Sequence, residues 1–179
     1  MPVRRAPGAT LGAIATLAVV AALAPAGDAA AQITGGSLSI SVPASANLSS
    51  GTAIDTASFS AVLGDLTVSD TRTGAISGWT ASAAATDFTT GSGSVNETIP
   101  KASISYWSGT ATASSGLATF LPGQATALLA ASLSSTIVAF SAVTITGATS
   151  ATWRPTIIVT IPSGVVIGTY QGTITHSVS

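Results

Sequence analysis

The sequence predicts an all-β domain, a sandwich or barrel of short antiparallel strands, on three observations. Aliphatic side chains recur at every second position in short runs, glycine and proline punctuate the chain between those runs, and Thr, Val and Ile are abundant. β-Branched side chains fit a pleated surface better than a helix. A composition of 46% hydrophobic and only 6% charged residues excludes a disordered tail, because disorder goes with high net charge and low hydrophobicity.

The first element is an export signal. Arg4 and Arg5 form a positive start, an apolar run follows over residues 11–23, and Ala29, Ala30 and Ala31 meet the small-x-small requirement for cleavage before Gln32. As a helix that run spans roughly 20 Å, too short for a bilayer core, so a retained anchor is the minority reading. The residues after the arginine pair, Ala6-Pro7-Gly8, do not suit twin-arginine export, and general secretion is the simpler route. Residues 1–31 are thus expected to be a signal peptide and 32–179 a single domain. That remainder carries Arg72, Lys101 and Arg154 against Asp55, Asp65, Asp70, Asp87 and Glu97, a net charge of −2. It is long enough for one core without disulfides, which the absence of cysteine forbids in any case.

Strands follow in order. Leu38, Ile40 and Val42 alternate with Ser37, Ser39 and Ser41, giving an apolar face and a hydroxyl face. The pattern returns at Leu66–Val68, Trp79–Ala83, Ala102–Tyr106, Ile157–Ile161 and Tyr170–Val178. Between the runs lie Gly64-Asp65, Thr73-Gly74, Gly91-Ser92-Gly93, Ser108-Gly109, Pro122-Gly123, Pro162-Ser163-Gly164 and Gly168, which supply turn conformations. The 21 uncharged residues Ala125–Ile145 pass a length test for a membrane helix. Seven are Ser or Thr, and no Lys, Arg, Trp or Tyr anchors either end, so two strands or a short helix plus a strand is expected.

Candidate chemistry is sparse. The single histidine, His176, lies three residues from the C-terminus with no Gly-x-Ser-x-Gly elbow in the chain, which argues against acyl transfer. One histidine without cysteine leaves too few donors for zinc, and Asp70, Asp87 and Glu97 lack the spacing of a calcium loop. Asp65, Asp70 and Asp87 are the only material for a carboxylate hydrolase. Asp65 and Asp70 differ in strand parity, and Asp65 and Asp87 read as turn or strand-end residues that bond nearby amides. Asp70 and Arg72 are placed to pair. Trp79, Trp107 and Trp153 are anchors either of a core or of a sugar-stacking surface, core being the safer reading. Tyr170, Gly172, Ile174, His176 and Val178 share one face of the last strand. If that face is core, His176 is neutral and hydrogen-bonded; if it is a groove, His176 contacts a glycan or partner. No basic stripe exists for nucleic acid, and no cofactor or metal is expected.

Thr67-Val68-Ser69-Asp70-Thr71-Arg72, Gly78-Trp79-Thr80-Ala81, Thr86-Asp87-Phe88, Ile161-Pro162-Ser163-Gly164, Gly168-Thr169-Tyr170 and Thr175-His176-Ser177-Val178 follow one another in an order and spacing that resembles the WxL-domain surface proteins of Gram-positive bacteria. The resemblance runs from about Leu38 onward. Of the two Trp-x-Leu motifs that name the family, the first falls on Trp79-Thr80-Ala81, which keeps only the tryptophan, and the second on His176-Ser177-Val178, which keeps neither residue. The resemblance implies an Ig-like antiparallel β-sandwich that is secreted and attached non-covalently to the cell wall through peptidoglycan. It makes Trp79, Ala81, His176 and Val178 the candidate ligand-binding residues. The leading expectation is therefore a non-catalytic extracellular or wall-associated protein whose partners are peptidoglycan or other surface proteins, with no membrane contact after signal cleavage. An assembly subunit that pairs through uncharged strand edges is the second reading, and a secreted carboxylate hydrolase the third.

Overall fold

A computed structural model of the chain describes residues 14–21, 35–49, 58–72 and 78–179. The positive start of the signal, its cleavage site and the Thr73-Gly74 turn lie outside the described residues. In chain order the strands are β1 (Ile14–Ala21), β2 (Leu38–Ser41), β3 (Ser45–Ser49), β4 (Ser58–Val62), β5 (Leu66–Asp70), β6 (Trp79–Ala85) and β7 (Phe88–Thr89). They continue as β8 (Thr98–Ile99), β9 (Ile104–Trp107), β10 (Ala111–Pro122), β11 (Ala131–Ser132), β12 (Ile137–Trp153), β13 (Thr156–Thr160) and β14 (Gln171–Val178). Three single-turn 3-10 helices, Val95–Glu97, Lys101–Ser103 and Ala127–Leu129, are the helical elements among the described residues. No described helix is long and apolar enough to cross a membrane, and Ala125–Ile145 resolves into one such turn, β11 and the start of β12.

The strands form two sheets that face each other, as the alternation predicts. A ten-stranded sheet follows the path β2-β5-β12-β6-β14-β1-β3, with β10, β7 and β8 attached, and a four-stranded sheet runs β11-β9-β13-β4. β12 organises the larger sheet. Its residues Thr149–Trp153 pair with β5 and Ile137–Ala142 with β6, while β10 pairs along the opposite edge from Phe140 to Trp153. β5 and β6 therefore lie end to end beside one long strand. Every described pairing is antiparallel except that of β1 with β14.

Period-two burial builds the core. Leu66, Val68 and Asp70 point inward from β5, Trp79, Ala81 and Ala83 from β6, and Ile174, His176 and Val178 from β14. Between the sheets, Leu48, Ala83, Phe88 and Ile174 meet Ile104, Tyr106, Ile157 and Val159. A second cluster joins Trp79, Phe140, Trp153, Val68 and Val178, closed from the side by Phe120 of β10. Gly172 leaves room for this packing: a Cβ there would overlap the Phe88 ring. Outward positions carry hydroxyls in cross-strand pairs, Thr67 with Thr152 at 2.9 Å, Ser82 with Ser177 at 2.8 Å and Ser115 with Ser150 at 2.8 Å.

Candidate functional site

The two segments that resemble Trp-x-Leu motifs come together. β14 runs antiparallel to β6 with Val178 opposite Ala81 and His176 opposite Ala83, and reciprocal backbone bonds join Thr80 to Ser179. Trp79 stacks against Phe140 with ring centroids 6.4 Å apart and tilts against Phe120 at the same separation. The candidate residues Trp79, Ala81, His176 and Val178 are exposed by only 3, 0, 0 and 7%. Period two had aligned them on one apolar face, and that face is the interior, so they present no stacking surface to solvent. Trp153 is likewise fully buried, and Trp107 is half-buried.

His176 sits in a polar cluster inside the apolar core. Its Nε2 is 3.3 Å from the Tyr106 hydroxyl, which also accepts the Trp153 indole N–H at 3.4 Å. Tryptophan only donates, so the Tyr106 oxygen accepts from it, and the phenol proton is available to Nε2 when that nitrogen is unprotonated. The imidazole proton then resides on Nδ1, which is buried without a hydrogen-bond partner. Burial lowers the His176 pKa to about 4, so the ring is neutral at neutral pH. Burial likewise raises the Tyr106 phenol well above its usual range, against the opposing Trp153 bond. Among the described residues no carboxylate touches the imidazole, which is fully buried, and the constellation bridges the two sheets. Sequence reasoning passed over Tyr106. Its shared parity with Ile104 was the available signal, since it places the phenol on the inward face of β9.

Each described acid has its own fixed partner. Asp70, fully buried at the end of β5, takes two bonds from the Arg72 guanidinium at 2.9 Å each and one from the Arg72 amide at 3.0 Å. Arg72 reaches on to the Gly78 carbonyl at 2.9 Å and so ties the end of β5 to the start of β6. Burial opposes ionisation of Asp70, but the hydrogen bonds and charge of Arg72 outweigh it and hold the carboxyl below its usual range. The expected pairing of these two residues is therefore present.

Asp87 accepts the Lys101 amide at 2.7 Å, as a strand-end acid should. Asp65 instead forms an exposed bidentate pair with Arg154 at 2.7 and 2.9 Å, because the turn before β5 lies beside the end of β12. Glu97 collects the amides and hydroxyls of Ser92 and Ser94 on one oxygen, which lowers its pKa to about 2. Its carboxylate fixes the Gly91–Gly93 turn. Among the described residues no three His, Asp or Glu side chains are grouped to hold a metal ion.

Compared with known proteins, the chain matches no family model and no curated relative.

Proposed function

We propose that the processed chain is a secreted, non-catalytic β-sandwich of the cell surface that associates with the wall without a covalent link. One observation carries this reading: the described side chains that could perform acid–base chemistry are committed to structure. His176 is enclosed beside Tyr106, Asp70 is bound by Arg72, Asp65 by Arg154, and Glu97 closes a turn. The outer faces offer rows of uncharged hydroxyls, a chemistry suited to hydrogen bonding with a glycan polymer. Arg4-Arg5, the apolar run and Ala29–Ala31 support export, and the motif order from Thr67 to Val178 supports the wall as destination. Incubation with purified peptidoglycan tests the reading. The processed protein should sediment with the wall, and equally at low and high salt, because the surface proposed to bind is nearly uncharged. Recovery wholly in the supernatant under both conditions removes wall association.

A second reading has its own observation. β10 is a 12-residue edge strand without a charged residue, and Leu117 and Leu121 on it are 72 and 45% exposed. Such an edge invites pairing with another strand, although the bulge at Gly116 interrupts it. Assembly through β10 would appear as concentration-dependent elution in size-exclusion chromatography, and a monomer at every concentration removes it.

A further inference from the structure

β1 occupies a strand position that the proposed processing vacates, since residues 14–21 lie within the export signal; the inference below rests on that reading. In the sheet β1 is paired on both edges. Thr16 stands opposite Gln171 of β14 on one side and Asn47 of β3 on the other, and Leu17 stands opposite Gly172 and Ala46. Because β1 is parallel to β14 and antiparallel to β3, β3 runs antiparallel to β14 with one strand between them. The register across that strand aligns Asn47 with Gln171, Ala46 with Gly172 and Ser45 with Thr173. Facing agrees as well. Ala46 and Leu48 are buried while Asn47 is exposed, and Tyr170 and Ile174 are buried while Gln171 is exposed.

We propose that loss of the export signal lets β3 move inward by one strand spacing, roughly 4.8 Å, and pair directly with β14. No residue has to change face, since both strands already direct their even-numbered side chains to the core. The step removes the one parallel pairing among the described strands and leaves an antiparallel ladder, which is slightly more stable per residue. It also closes two open edges that would otherwise seek another molecule. β3 has the advantage over any outside strand because Val42–Ala44 tether it to β2, which itself contacts β14. The precursor and the processed protein then differ by one strand, and signal removal becomes the final step of folding.

The chain contains no cysteine, so a cysteine pair reports on this directly. Asn47→Cys and Gln171→Cys are introduced together into the full-length gene, and unprocessed and exported forms are separated by mass and treated with a mild oxidant. With β1 in place the two Cα atoms lie roughly 10 Å apart, two strand spacings, beyond the reach of a disulfide. The expected result is an intramolecular disulfide in the exported form only. An exported, folded form that does not crosslink, or a disulfide in both forms, overturns the closure. Failure to obtain any form beginning near Gln32 overturns the export reading and the closure with it. Hydrogen exchange of the unsubstituted exported protein gives an independent readout: the amides of Gly172, Ile174 and His176, which alternate with the odd-numbered amides bonded towards β6, should stay protected, and their exchange within seconds overturns the proposal.

Discussion

Protonation of His176 would place a charge among Tyr106, Trp153 and Ala83 with no counter-ion beside it among the described residues. Its pKa is about 4 in the fold against 6.5 when free, so between those values the unfolded chain binds the extra proton. Acidification from pH 6.5 to 4 therefore erodes stability, by up to about 3 kcal/mol, and the loss from this group levels off below pH 4. Thermal melts across that window should show the decline, and His176→Phe should flatten it; an unchanged slope in the variant would refute the assignment. Asp70 acts in a lower window: its carboxyl is depressed, so its contribution is present above the ordinary carboxylate range and is lost as pH falls through its folded value. Arg72→Ala leaves the buried carboxylate with only a backbone partner and should cost about 2 kcal/mol, after discounting for the third of the Arg72 side chain that water reaches. Arg154→Ala, which opens an exposed pair, should leave the melting temperature where it is.

β14 depends on a glycine for its fit against β7. Gly172→Ala forces the Phe88 ring out of place, and urea denaturation should register a loss of about 1–3 kcal/mol. Gly116→Ala should weaken the β10–β12 ribbon, since φ is 84° there and a Cβ would meet the Ala148 carbonyl. β5, β6 and β14 were legible in the sequence because each has one wet and one dry face, so the periods of Leu66–Val68, Trp79–Ala83 and Tyr170–Val178 copy the burial. β10 was not legible. Residues Thr112–Leu117 are exposed at every position, so no alternation was selected, and the bulge at Gly116 breaks the count. β3 and β4 lack a sustained aliphatic period, and the apolar run around β1 satisfies the pattern of an export signal as well as that of a strand. The candidate site was legible as a shared face. Period two could not say whether that face met the core or the solvent, because Tyr106, the residue that closes over His176, comes from a different sheet.

For the whole molecule, a surface with so few charges makes solubility depend on hydroxyls and on what its edges meet. Replacing Leu117 and Leu121 together with lysine puts two positive charges on the β10 edge. Under the assembly reading it should convert a concentration-dependent elution profile into a constant monomer, whereas an unaltered profile would place self-association elsewhere. The bonds between Thr80 and Ser179 have a mechanical consequence. A pull applied through Ser179 along β14 would load the rungs shared with β6 side by side, in shear, instead of peeling them open one at a time. Secured at that point, the fold would resist tugging from its surroundings far better than its modest number of side-chain bonds suggests.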